Sequence, residues 1–452
     1  MPYNPYKTDR KSWFSKFRNS ISYPILCIFV LGFFGCGQNG PADVSSAAAK
    51  KVVVWHWMTD REDVFQELAR QYESLTGVKL VFELFAPSDQ YSQKIRSAAQ
   101  GQTLPDIYGL LADKRDFSSF IKAGHVADLT LELEENNSAW KNTFFPNAVG
   151  VNEFKADDSY GVKPGIYGIP IDVMTIEMLY NKNLLQKAGL DPEKPPATWE
   201  EFMAAIEKLR ASGIQGMVSG WVEVWMIDCL ASNYAFNIMG KEKVIETIKG
   251  NVAYTDPDWI KVFDLFAQMR DNQALVPGVI AMINKTAEQL FANGKCAFAF
   301  NGSWCVNVYK GMNPDLDYGV MLPPAASSKF PMAVWGGAGS SFLVNDRSPN
   351  KELAIEFLKW LTAKEQQVFL ANKTQNLPAN KEALDEISPV LAQFANDMKY
   401  ATHPNILGVS EFPVVIEALD KGIQSIIIGE KTPRQVAFEV QIIKEREMAR
   451  NK

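Results

Sequence analysis

A chain of 452 residues exceeds what one hydrophobic core normally holds, so two lobes are expected. With 47% hydrophobic and 22% charged residues, it falls in the ordinary globular range rather than the disordered one. The formal charge is −6: the first 35 residues carry Lys7, Arg10, Lys11, Lys16 and Arg18 against Asp9 alone, or +4, which leaves −10 on the remainder. An acidic body without a basic run excludes nucleic acid as a partner, because phosphate attraction has nothing to act through. His56, His125 and His403 are too few and too scattered for a zinc site, so no metal or cofactor is expected.

At the amino end, a basic region to Arg18 precedes the mostly apolar stretch from Ile21 to Gly35, and Cys36 follows. That stretch is too short for the roughly 20 residues of a spanning helix and suits a secretory signal. Small residues flank the cut, and the segment resembles a lipoprotein signal in which Cys36 is acylated and becomes the mature terminus. Phe33 departs from that pattern, which prefers Leu there. Residues 36–50 are small and polar, as a tether is. Of the remaining thiols Cys229, Cys296 and Cys305, only Cys296 and Cys305 lie close enough in sequence to suggest a disulfide, and two buried free thiols are the alternative.

Val52–Trp55 reads as a short buried strand, and Val64, Phe65, Leu68 and Tyr72 give a helical period over 61–75 that Thr76-Gly77 ends. Val78–Phe82 alternates as the next strand, 91–100 is a helix stopped by Gly101, and Pro105–Gly109 leads into a third strand. Strand, helix, strand, helix, strand predicts parallel βαβ units, whose ligands collect beyond the carboxyl ends of the strands. Further along, 176–180 is an apolar run, Thr198 caps a helix beginning Trp199-Glu200-Glu201, and 241–249 is a helix between Gly240 and Gly250. Helix 286–292 precedes a strand at 297–300, and 353–361 and 365–371 are strongly helical.

Several segments, weak singly and strong together because they keep one order along the chain, carry a resemblance. They are Tyr72–Lys79, Gly101 with Pro105-Asp106-Ile107, Tyr167–Pro170 with Leu179–Lys182, Thr198–Phe202, Phe291–Phe298 closing on Asn301–Trp304, and Gly336-Gly337 with Phe342–Val344. Ala354–Leu361 and Leu377-Pro378 complete the set. The chain resembles the family 1 extracellular solute-binding proteins, the sugar-binding lipoproteins of ABC transporters of the maltose-binding-protein type. The resemblance implies an α/β, type II-like fold of two lobes, each a mostly parallel sheet flanked by helices, joined by crossings near 170–175, 319–323 and 372–375. Lobe one would be 51–171 with 320–372, and lobe two 175–318 with 376–452. It also implies a monomer outside the cytoplasm, at the periplasm or cell surface, that binds a sugar without turnover and passes it to permease subunits. Polyamines and glycerol phosphates are the alternative solutes of the same fold.

A sugar needs aromatic rings over its apolar faces and planar polar groups at its hydroxyls. Trp304 matches the family's stacking tryptophan in Gly-x-Trp, and Asp172 stands in the first crossing, where the resemblance implies a ligand-binding acid. Trp221, Glu223 and Trp225 alternate, so an extended segment would turn them to one face. Trp55 and Trp57 flank the end of the first strand. The run Trp335-Gly336-Gly337-Ala338-Gly339-Ser340 would offer backbone N–H groups, glycines permitting close approach. It lacks the Lys-Ser/Thr of a phosphate loop. Tyr91 and Asp113 are weaker candidates. A glycoside hydrolase would want paired carboxylates, for which Asp172 and Glu223 are the pair at hand. Gly302-Ser303 lacks the Gly-x-Ser-x-Gly elbow, and the resemblance points to a protein that is not an enzyme.

Overall fold

A computed structural model of the protein describes residues 50–451. The signal, Cys36 and most of the tether lie outside the described residues. The first three strands, β1 (Lys51–His56), β2 (Lys79–Leu84) and β3 (Ile107–Gly109), run parallel in the order β2-β1-β3, with helices Glu62–Thr76 and Ser88–Gln100 as the connections. Gly77 ends the first helix at φ +72°, a left-handed position that costs glycine nothing, and its N–H donates to the Glu73 carbonyl. Thr198 and Glu201 form the expected capping box on helix Trp199–Ala211.

Two long strands decide the architecture. Strand β4 (Ile169–Asn181) has 13 residues, roughly 40 Å at about 3.3 Å each. β5 (Gln215–Val218), β6 (Cys296–Gly302) and β7 (Tyr318–Met321) precede β8 (Val334–Val344), and the short β9 (Leu377–Pro378) and β10 (Ala401–Thr402) complete the sheet. The main order is β2-β1-β3-β8-β4-β6-β5, with β7 and β9 also on β4 and β10 on β8. Pairing is parallel at the two ends and antiparallel through the middle, because β8 runs against both β3 and β4, and β4 against β6.

The first part of β4 pairs with β8, and its second part with β6 and β7. Along β4 every residue is buried except Met174. Trp335–Ala338 of β8 face Ile176–Val173, while β7, which begins at the expected 319–323 crossing, pairs with the far half of β4. A loop across 322–333 separates the two, which the sequence pattern did not mark. The third crossing follows the end of helix Lys364–Thr374, where β9 joins β4 at Val173 and Asp172.

Two large cores flank these strands. One gathers Val52, Phe65, Phe342 and Phe357; the other gathers Trp221, Phe263, Phe298 and Val436. The helix read as 241–249 is the tail of Trp225–Lys249, broken at Gly240, whose φ of +80° leaves the helical region. Cys229, Cys296 and Cys305 are buried free thiols, so the suggested Cys296–Cys305 bridge is not formed.

Candidate functional site

Beyond the carboxyl ends of β1 and β3 the chain turns into loops, and there a cavity of about 180 Å³ opens onto the crossing strands. Trp57 and residues 110–112 line one side, and Met174, Trp335 and Ala338–Ser341 the other. A larger cavity of about 400 Å³ continues from it between helix Trp225–Lys249 and helix Pro413–Ile427. Trp335, His403 and Asn405 line both, so the two are neighbouring compartments of one cleft.

Trp335 stands at that junction because β8 carries it past Ile176 at the crossing, half-exposed. Its ring meets His403 with centroids 4.5 Å apart at 51°. Burial, and then the Lys114 charge, push His403 down to about 3, so the ring is neutral. His403 Nδ1 accepts the Asn405 N–H at 3.0 Å, which leaves the proton on Nε2. Lys114 itself is fully buried over Phe154 and donates to the carbonyls of Val151 and Glu153; burial pushes it down to about 8. Asp113, beside it, caps helix Lys114–Lys122 through the Asp116 N–H at 2.8 Å and also borders the larger cavity.

The structure separates the expected site residues into groups. Trp57, Trp335 and Asp113 line the cleft. Trp225 and Trp304 form a tilted pair with centroids 6.0 Å apart; Trp225 is 42% exposed, and Trp304 is partly buried against both cores with its ring over Gly302. Trp55 packs its ring on Phe85 under the Lys94 ammonium, outside both cavities.

The other six expected residues are engaged within the fold. Trp221 is 0% exposed against Phe266, because 221–224 is a turn leading into a helix and not an extended run; it therefore does not share a face with Trp225. Glu223 accepts the Asn284 N–H at 3.0 Å and so holds the start of helix Asn284–Ala292. Tyr91 is buried, its hydroxyl within reach of the Trp55 and Gly109 carbonyls, to one of which it donates its single proton, while accepting the Gly109 N–H; this ties β1 to β3. Gly336 and Gly337 sit inside β8 opposite Thr175 and Met174; a Cβ on Gly336 would lie 2.7 Å from the Met174 carbonyl oxygen. Asp172 is buried in an ion pair with Arg61 and accepts the Ser340 N–H at the bulge in β8, so it fastens the crossing. Asp172 and Glu223 are thus engaged separately, and neither lines the cleft.

Several lining residues were not singled out from the sequence, among them His403, Asn405, Asp228, Asp420 and Tyr254. Asp420 alone carried a signal. It stands on the apolar stripe of its helix with Ile416, Ile423 and Ile427, where an acid is out of place. Among the described residues no group of His, Cys, Asp and Glu is arranged to hold a metal, and no helix is long and apolar enough to cross a membrane.

Comparison with known proteins adds the family. The profile described as bacterial extracellular solute-binding protein matches residues 67–402. A candidate binding protein of Brucella abortus (strain 2308) is 25% identical over 422 residues, covering 87% of this chain and 92% of that one. The sn-glycerol-3-phosphate-binding periplasmic protein UgpB of Escherichia coli (strain K12) is 27% identical over 288 residues, covering 59% of this chain and 63% of its own length. Among solved structures, a chitin oligosaccharide binding protein superposes with a TM-score of 0.71 at 20% identity, covering 88% of this chain and 98% of that one. These relatives are named as binding proteins.

Proposed function

Because this chain belongs to the bacterial extracellular solute-binding protein family, we propose that it captures a sugar or oligosaccharide in the cleft at the crossing strands and delivers it to the permease subunits of an ABC importer. The observation that carries the reading is Trp335. Its indole is held at the crossing, half-exposed, and forms a wall of both cavities. An aromatic face of that kind covers the apolar face of a pyranose, while His403 and Asn405 beside it supply polar atoms for hydroxyls. The superposition on a chitin oligosaccharide binding protein supports the same class of solute.

Glycerol phosphate, the solute in the name of UgpB, fits this cleft less well. Neither cavity is lined by a Lys or Arg, and a phosphate in a partly buried site draws on such charge. Capture works by population shift: the solute must touch both halves when shut, so that closing gains contact energy. Acylation at Cys36 would tether the monomer to the envelope, where the closed form docks. Hydrolysis finds no support in the placement of Asp172 and Glu223, and the chain acts as a binder.

Thermal-shift screening of the full chain tests this. A bound solute at about 100 times its Kd adds about 2.7 kcal/mol. Neutral oligosaccharides are expected to raise the melting temperature, and sn-glycerol 3-phosphate is not. A response to the phosphate alone would overturn the sugar reading.

A further inference from the structure

The larger cavity has an unusual chemical inventory. Its walls are aromatic and aliphatic, with Phe236, Tyr254, Trp259 and Trp335 among them, yet Asp228 and Asp420 enter it from two facing helices. Asp420 is 2% exposed, and its Oδ1 meets no donor. Glu411, on the same wall, is already matched: Lys444 binds both its oxygens at 2.6 and 2.8 Å, and the Tyr254 hydroxyl donates to it at 3.0 Å. Asp113 and Glu417 add further negative charge at the edges, and no cationic side chain lines the space.

A carboxyl group with an unpartnered oxygen in a largely apolar cavity is costly to the folded chain, and a second acid facing it raises that cost. Burial and the facing Asp228 keep a proton on Asp420, and a neutral hydroxyl would satisfy its open oxygen without changing that. An anion would add repulsion. An ammonium group supplies three N–H donors and a positive charge that lets Asp420 release its proton and both acids ionise, and aromatic walls favour it further.

We propose that the solute carries a protonated amine, which seats between Asp228 and Asp420 while the rest of the molecule lies against the aromatic walls. The proposal rests on the cleft being the solute site and names the chemistry at its deep end. An amino sugar and an aliphatic diamine both present that group. The amino sugar would extend towards Trp335, whereas the diamine would need only the acidic pair.

Titration calorimetry of the full chain with glucosamine, putrescine and glucose separates these cases. Glucosamine is expected to bind at least tenfold tighter than glucose, and Asp420→Asn to remove at least tenfold of the amine affinity and with it the preference over glucose. Asp228→Asn, on the facing helix, gives a second reading should the first variant fail to fold. Putrescine binding tighter than glucosamine would keep the amine and make the aliphatic source the ligand. Glucose and glucosamine binding equally, both weakened by Trp335→Ala, would overturn the amine assignment and leave the sugar reading intact. Amine binding that survives both Asn variants, or no binding of either amine, overturns the assignment as well. Neutral sugars binding unchanged in Trp335→Ala would instead overturn the reading of the cleft.

Discussion

The ring of Trp335 lies 4.5 Å, centroid to centroid, from that of His403, and the pair closes the junction of two cavities that strand pairing alone would have left apart. Residues 335 and 403 meet because the short β10, just before His403, pairs with β8 at Val334 and Trp335. A backbone ladder between segments distant in sequence therefore positions a side-chain contact at the cleft.

Trp335→Ala is expected to weaken sugar binding at least tenfold, about 1.4 kcal/mol or more. The cost in stability should stay below the roughly 3–5 kcal/mol of a fully buried tryptophan, because Trp335 is only partly buried against the second core. Titration calorimetry beside a melting curve checks both parts. Unchanged affinity would remove Trp335 from the site.

Asp172 gives the opposite expectation. Its partner Arg61 is buried with it and would keep only the more exposed Asp60, at 3.2 Å, so Asp172→Ala would leave a poorly compensated cation inside the crossing and cost about 3 kcal/mol. Denaturant unfolding measures that loss. Replacing both Arg61 and Asp172 with Leu should recover part of it. A variant of full stability that no longer bound sugar would return Asp172 to the ligand.

Trp225 and Trp304 touch one another but differ in burial. If the exposed indole of the pair meets the solute, Trp225→Ala should reduce affinity with little change in melting. Trp304→Ala should reduce both, because its ring also packs on the two cores. Stability equal in the two variants would contradict this division.

Asp420 links stability to pH. Burial, and then the facing Asp228 carboxylate, hold its proton on well above the ordinary carboxylate range, with Glu417 adding to the effect. The native chain thus keeps a proton that the unfolded chain has released, and stability falls as pH rises from the ordinary carboxylate range towards the native titration. Asp420→Asn escapes that penalty. It should melt higher than the parent at pH 8, by a margin that grows by up to about 1.4 kcal/mol per pH unit above the ordinary carboxylate range and shrinks towards pH 4. A margin independent of pH would count against the raised carboxyl.

Much of the scaffold was readable in the sequence because its signals are local. Helix Glu62–Thr76 shows its apolar period and its Gly77 stop, Thr198 and Glu201 spell a capping box, and β1, β2 and β3 alternate with helices. The crossing in β8 was less legible: Trp335–Ser340 reads as a glycine-rich loop, and only pairing with β4 makes it a strand. Trp221 and Trp225 look equivalent at spacing four, yet the turn before the helix sends one into the core and leaves the other out. His403 and Asp420 acquire their places from contacts between segments far apart in the sequence, for which no local pattern exists. Composition predicted aromatic rings at the cleft; it carried no information on which of them would face it.

Small-angle scattering of the full chain, titrated with maltose and chitin oligosaccharides found to raise its melting temperature, tests the central claim most directly. The account predicts a smaller radius of gyration at saturation, as the halves on either side of β4 and β8 close on the solute, and no such change in Trp335→Ala at the same sugar concentration. Saturable sugar binding with an unchanged radius, or contraction undiminished without Trp335, would contradict it.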